Sequence, residues 1–578
     1  MHEPSSTDPV STPAVTTPAI VTPTPAKNAT VAEDANEGSI KETIESILIA
    51  FILAFIFRGF VVEAFVIPTG SMAPTLLGAH MRFTCADCGY TFDTNYSAPS
   101  NSRNDDMDIP SLGGRHDHIY CPNCGYHVPS AAETDPALNP FVRYGDRILV
   151  LKYLYLVEEP KRWDVVVFKS PNEPEQHDYT QNYIKRLIGR PGESIMILDG
   201  DIYAGPRGTP REQLQVQTKP HDVQDALWRL IHDSDYQPRG VQRTNAPPYR
   251  EPWTPRSGQT GWDLGLANSA SNSGTNSGAS NPVVVAAARM FRFDNLNGGA
   301  EIFFNDQANL HVGRTSLFTD WLTYDSEQGH GPNWNLVGDL KLHFFYDRQA
   351  GEGPVRVMLS KRSKTFVAAI GKSSSRLLAS AADGPLQELI PATEFSARSG
   401  PMSVEFFNAD YQVVLRINGK DILQTTPAQY APDMPELLSA RTDPAPGVRI
   451  SAENQRATLS HVSLWRDIYY LSDGQTQVRR NGALRTEDFR GTADNIMQLG
   501  PDEYFTLGDN SQISGDGRYW PEPTVLPFEG LDVDPGKVPG RFLLGKAFFV
   551  YWPAGYRPFQ SSNVPALVPN FGDMRFIH

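Results

Sequence analysis

All four cysteines of the chain stand in two pairs of equal spacing, Cys85-Ala-Asp-Cys88-Gly-Tyr and Cys121-Pro-Asn-Cys124-Gly-Tyr. The glycine after each pair lets the backbone turn so that its amides face the thiolates. Two such turns brought together present four sulfurs tetrahedrally, which suits a structural zinc ion on Cys85, Cys88, Cys121 and Cys124. A site closed by four thiolates keeps no open coordination position, so structure and not catalysis is expected of it. Two disulfides, or a redox pair, are the alternative if this segment faces an oxidising compartment.

A second set of reactive groups is spread along the chain. In Phe65-Val66-Ile67-Pro68-Thr69-Gly70-Ser71-Met72-Ala73-Pro74-Thr75-Leu76, Pro68 and Gly70 favour a turn that projects Ser71. The pattern is not GxSxG, and His80, His116, His118 and His127 fall near the cysteines, so no histidine stands out as its base. Lys185 can serve instead. Tyr183–Ile188 reads as a strand, whose alternation puts Lys185 on one face with Tyr183 and Leu187 and turns Arg186 to the other, between Ile184 and Ile188. An ammonium on an apolar face is desolvated, and a pKa lowered from ~10.4 to about 7–8 leaves enough free amine to take a hydroxyl proton. The third candidate is the polar loop Gly508–Trp520, in which Asp516 and Arg518 are spaced to pair; a calcium loop or a plain turn has the same composition.

The elements that position these groups follow from patterning. Residues 1–43 begin with a stretch holding Pro4, Pro9, Pro13, Pro18, Pro23 and Pro25 among Ser, Thr and Ala, and read as a disordered tail. Residues 44–62 enclose eleven unbroken apolar residues, Ile47–Phe57, covering every face of a helix. Nineteen helical residues rise ~28 Å, close to the ~30 Å of bilayer hydrocarbon, so a single transmembrane helix is expected. Residues 63–205 and 467–578 carry short β-branched strands, among them Asp146–Leu151, Trp163–Phe168, Ser194–Leu198, Tyr504–Leu507 and Ala547–Trp552. Between them, 206–282 reads as irregular with one helical stretch at Val223–Ile231, and Asn268–Asn281 as a flexible linker. Residues 283–466 read as a β-sandwich: Leu340, Leu342, Phe344 and Tyr346 alternate with polar neighbours, and Val413, Leu415 and Ile417 lead into the hairpin pair Asn418-Gly419. The fold class is therefore mainly β, one domain split by a large insertion.

Composition bounds the function. The chain has 578 residues, 40% hydrophobic, with 51 Lys and Arg against 66 Asp and Glu for a net charge of −15. An acidic chain repels phosphate backbones, so nucleic acid is not an expected partner. A mean hydropathy of −0.37 excludes a polytopic membrane protein but not one anchor.

The four blocks Ile67–Leu76, Trp163–Phe168, Tyr183–Arg186 with Gly189-Arg190-Pro191-Gly192-Glu193, and Gly508–Trp520, set after the apolar helix, resemble bacterial type I signal peptidase. The resemblance implies a membrane-anchored serine endopeptidase that releases signal peptides from exported preproteins on the extracytoplasmic side. It implies Ser71 as nucleophile and Lys185 as general base, and Thr69 with the Ser71 amide as oxyanion hole. Ser514 would orient Lys185, and Asp516 and Arg518 would support the loop. Phe65, Ile67, Pro68, Tyr183 and Ile184 fall where that family binds substrate. Ser511 and Ile513-Ser514 depart from the family's loop, which carries Arg and Asn-Ser there. Residues 83–130, holding the cysteines, resemble a zinc ribbon inserted in the catalytic domain, and 283–466 a concanavalin- or laminin-G-like sandwich; the family pattern accounts for neither. Ser71 follows the expected end of the anchor by nine residues, which keeps it near the bilayer surface, the second expected partner. A surface-anchored binding protein that uses the sandwich and keeps a non-catalytic peptidase frame is the alternative.

Overall fold

The computed structural model describes residues 34–96, 118–129, 142–171, 181–241, 248–265, 289–311, 313–328, 334–381, 384–396, 400–439, 444–480, 483–520, 532–555 and 570–578. Most of the expected tail and the Asn268–Asn281 linker lie outside them.

The N-terminal unit, ending at Gly59, is a helix over Asp34–Ile56. It begins inside the segment expected to be tail. Within it the consecutive residues Ile47, Leu48 and Ile49, which point about 100° apart, are all exposed, so the apolar side chains surround the axis instead of forming one buried stripe. Continued by a short π-helical turn, Phe57–Val61, it supplies one span long and apolar enough to cross a membrane, Lys41–Val61. Val62, expected as its last residue, instead opens the first strand.

The second unit, from Phe60 onward, is almost wholly β. One sheet runs in the order Val62–Val66, Arg147–Leu151, Leu543–Trp552, Val165–Lys169, Asn182–Gly189, Glu503–Leu507 and Val538–Pro539. Strands from before and after the long intervening stretch thus alternate in one sheet. Ile67, Met72, Leu76, Ile148, Val150, Val165, Val167, Ala547 and Val550 form a core beneath it. A four-stranded sheet, built around Glu193–Leu198 and Asp201–Pro206, packs a second core of Ile195, Ile197, Leu227, Leu499 and Phe505.

The intervening stretch forms a thirteen-stranded β-structure that folds around its own core, which includes Leu340, Leu342, Phe344, Tyr346, Val413, Leu415 and Ile417. Every alternate residue anticipated from Leu340 to Tyr346 is buried, and Ile417 pairs with Lys420 across the two-residue Asn418-Gly419 turn. The segment 206–282, expected to be irregular, contributes to the same structure. Its helix is shorter than anticipated, His221–Leu227, and Arg229–Asp233 pairs with Val448–Arg466 while Trp253–Pro255 and Trp262–Asp263 pair with Met290–Phe304. Strands of two to five residues are too short to show the alternation that marks a strand in isolation; long partner strands capture them.

Frame and sandwich are joined by buried charge. Lys361 bonds Asp201 of the frame and Asp339, and Lys219 bonds Asp410 and Asp467. The carboxylates on each amine hold both lysines charged despite burial.

Candidate active site

Ser71 sits in a single 3-10 turn, Gly70–Met72, directly after the strand Val62–Val66. Met72 and Leu76 anchor that turn in the core, while Ser71 itself is only half-buried. Lys185 comes from the middle of Asn182–Gly189, held between Val165–Lys169 on one side and Glu503–Leu507 on the other. Its Nζ donates to Ser71 Oγ at 2.7 Å. Lys185 is 5% exposed, and burial pushes its amine down to about 8; the Asp516 and Asp509 carboxylates oppose the shift and Arg518 adds to it. The Tyr183 ring lies 5.6 Å from Nζ, on the face that alternation assigned to both. A strand lysine here is thus largely stripped of water and aimed at a hydroxyl.

The loop Gly508–Trp520 closes over the pair. Asp516 takes two bonds from the Arg518 guanidinium, at 2.9 and 2.8 Å, and one from the Gly508 amide. A Cβ at Gly508 would collide with Ser514 Oγ and the Ser71 carbonyl, so only glycine permits this approach. Asn510 clamps the Ser71 turn from the other side: its amide donates to Ser71 O, and its side chain to Gly70 O and to Asp325 Oδ1 of the inserted region. Ser511, one of the departures from the family's loop, accepts from Arg518 at 2.7 Å and from the Leu471 amide. Gln512 reaches Asp320, again in the insertion.

Ser514 is buried beside Ser71 but its hydroxyl bonds to nothing among the described residues. The orienting bond to Lys185 expected of it is therefore not formed; its amide bonds Asn510 O instead. Thr69 is exposed and its side chain caps no amide of the turn. Ile67, Phe65 and Ile184 pack together with Met72, whereas Tyr183 joins Phe168 and Trp520 on the opposite face. Pro68 is half-buried.

Arg186 is a residue whose role alternation did not disclose. Fully buried, it makes a two-pronged pair with Asp509, both bonds 2.7 Å, and a third bond to Trp163 O. The available signal was an arginine inside an apolar strand, which requires a carboxylate partner. Replacing Arg186 with Ala is expected to cost about 3–5 kcal/mol by stranding Asp509, read as a lower denaturation midpoint; a double Arg186→Met/Asp509→Leu replacement should recover much of it.

The cysteine module is a pair of matched turns. Cys85 N bonds Tyr90 O and Cys121 N bonds Tyr126 O, with Gly89 and Gly125 at positive φ, 80° and 69°. The four sulfurs lie within 4.8 Å of one another, with Cys85–Cys124 and Cys88–Cys121 each at 3.6 Å. A tetrahedron with ~2.3 Å metal–sulfur bonds has sulfur–sulfur edges of ~3.8 Å, so the buried cluster could hold a structural metal ion. The strand pair carrying the first turn, His80–Thr84 and Thr91–Asn95, begins just before the expected boundary. Residues between the paired cysteines dock the module: Asp87 Oδ1 accepts from the amides of Arg239, Gly240 and Val241, and Asn123 from the Asp233 amide.

Residues 40–94, 131–246 and 441–552 match the signal peptidase, peptidase S26, family. The matched segments hold Ser71, Lys185 and the closing loop, and also take in the sandwich strands Arg229–Asp233 and Val448–Arg466. Among curated relatives, signal peptidase I of Rickettsia typhi is 27% identical over 30% of this chain and 47% of its own length, and that of Rickettsia massiliae 28% identical over 30% and 46%. The chain spans about half the length of the curated relatives it matches. A carbohydrate-binding module of Bacillus subtilis, CBM66, is similar over 30% of this chain and 85% of its own, at 8% identity and a TM-score of 0.19. At that score the likeness says nothing of a ligand.

Proposed function

We propose that the protein is a signal peptidase I, a membrane-anchored serine endopeptidase that cleaves signal peptides from exported preproteins with Ser71 as nucleophile and Lys185 as base. The observation that carries the reading is the 2.7 Å bond from a buried amine, its pKa pushed to about 8, to an accessible hydroxyl. Ser71 Oγ attacks the scissile carbonyl carbon while the neutral Lys185 amine takes the hydroxyl proton. The oxyanion is received by the Ser71 amide and the Thr69 hydroxyl. Collapse of the tetrahedral adduct breaks the C–N bond, and the Lys185 ammonium returns its proton to the leaving amine. Water then attacks the acyl-serine, again deprotonated by Lys185, and the acid product leaves with Ser71 restored.

Two open backbone edges favour an extended substrate. Val62–Val66 ends its sheet, and Glu503–Leu507 pairs with Asn182–Gly189 only from Arg186 onward, leaving Asn182–Lys185 unpaired on that side among the described residues. A peptide lying between these edges would add as a strand, with Phe65, Ile67 and Ile184 against its side chains. The anchor Lys41–Val61 would hold the site at the membrane, catalytic body outside the cytoplasm, where preproteins present their cleavage sites. In this reading the frame, residues 63–205 and 467–578, is the catalytic domain, interrupted by the sandwich, and the four cysteines hold one structural zinc. The test is cleavage of a preprotein by the detergent-solubilised chain, with the Ser71→Ala variant as control. Thr69→Ala should lower kcat roughly 10–10³-fold with little change in KM; an unaltered kcat removes Thr69 from the oxyanion hole.

A further inference from the structure

A cavity of about 200 Å³ opens where the segment following Ser71, the cysteine module and the inserted region meet. Its wall carries Arg229, Arg314 and Arg466 beside the Trp321 and Tyr324 rings, with Thr91 exposed at the rim. The three arginines are held rigidly, yet by neutral groups. Arg229 donates to the carbonyls of Ala226 and Trp228 and to Thr75 Oγ1, and Arg314 to the carbonyls of Ser316 and Leu317 and to Thr319 Oγ1. Arg466 donates to the carbonyls of Asp320, Trp321 and Asp467. None of them pairs with a carboxylate among the described residues, whereas Arg186 and Arg518, which are fully buried, each have one.

The charge is therefore concentrated and met by no direct ion pair among the described residues. Arg229 is 7% exposed, and its Nε has no partner. Burial pushes Arg229 and Arg466 down to about 10 and Arg314 to about 9; repulsion from Arg466 on Arg314 and from Arg229 on Arg466 adds to it, while Asp320 opposes it at Arg314 and Arg466, and Asp509 and Asp467 at Arg229. The carboxylates near this region are otherwise engaged: Asp93, in the cavity wall, pairs with Arg82, Asp320 accepts from Asn335 and Gln512, and Asp325 from Asn510, its own carboxyl pushed by burial up to about 7. Three guanidiniums on one cavity cost heavily without a counter-charge. Planar forks converging from three chain segments suit an ion with several oxygens better than a single carboxylate. The volume leaves room for a body beyond the bare ion, and the Tyr324 ring and the Trp321 ring, on which Arg314 stacks at 4.8 Å, form part of the wall it would meet.

We propose that this cavity binds a small phosphate-bearing molecule, its oxygens held by Arg229, Arg314 and Arg466 and its body against Trp321 and Tyr324. The site is distinct from Ser71 and Lys185 and stands whether or not the peptidase reading does. Its position couples it to the frame, because Arg229 bonds Thr75 and Pro74 forms part of the wall.

Calorimetric titration of the detergent-solubilised full chain with inorganic phosphate, phenyl phosphate and glycerol 3-phosphate tests it. Saturable binding of one or more is expected, with phenyl phosphate tightest if the occupant is a free aromatic phosphate and glycerol 3-phosphate tightest if it is a phospholipid headgroup. Arg314→Gln should weaken that binding roughly tenfold or more. Thr91→Glu, which places a carboxylate at the rim of an otherwise unaltered fold, should weaken it similarly while leaving the melting temperature of the unliganded chain unchanged. No saturable binding of any of the three at millimolar concentration, or binding that Thr91→Glu leaves intact, overturns the proposal.

Discussion

Replacing Ser71 with Ala, or Lys185 with Met, is expected to reduce preprotein cleavage by roughly 10⁴-fold or more, since a nucleophile and its base act as one unit. The two variants differ in stability in a way that a merely structural role for Lys185 would not produce. The amine has a pKa near 10.5 when solvated and about 8 in the fold, so between these values the unfolded chain binds the extra proton. Stability from this group is accordingly present above pH 10.5, lost progressively as pH falls toward about 8, and absent below it. Near neutral pH the buried charge costs on the order of 3 kcal/mol, against ~1 kcal/mol returned by its bond to Ser71. Lys185→Met should therefore be inactive and yet melt higher than wild type at pH 7, while Ser71→Ala gains nothing comparable. In the wild type, kcat/KM should rise about tenfold per pH unit up to a limb near pH 8. A flat profile from pH 6 to 9, or full turnover by either variant, would dismiss the dyad.

Metal removal carries the other large effect. Apparent zinc binding in small four-ligand modules reaches ~10–16 kcal/mol at neutral pH, more than a segment with so small a core can supply by packing. Cys85→Ser is expected to take bound zinc from about one equivalent to none, and to unfold the module so that proteolysis cuts within the strands His80–Thr84 and Thr91–Asn95. Because Asp87 and Asn123 fix the module to residues 233–241, the loss should also lower the melting temperature of the second unit. Metal analysis and thiol titration of the denatured wild type separate this from the oxidised alternative. Four titratable thiols with one zinc are expected; no thiols and no metal would mean two disulfides.

What could be read from sequence was what local chemistry determines. The apolar helix, the alternating strands around Leu342 and Val413, and the paired cysteines each carry their pattern within a few residues. The Ser71–Lys185 pairing joins residues far apart in the chain, and only family resemblance made it visible; alternation alone gave Lys185 its face but not its target. Where a contact depends on two distant segments, the sequence was silent. Nothing near Asn510 foretold that it would hold both Gly70 and Asp325, and Ser514, given a role by resemblance, lies buried without a side-chain bond. Arg229 looked like the end of a helix; it proved to begin a strand captured by Val448–Arg466, and that capture brings it close to Arg466.

The bonds from Asn510 to Asp325 and from Gln512 to Asp320 carry a consequence for anyone trimming this chain to a smaller enzyme. Excising the guest would strip the loop that holds the Ser71 turn of two partners, and would leave Asp201 without Lys361 and Lys219 without Asp410. The host has grown dependent on its lodger, and shortened forms should forfeit catalysis along with solubility.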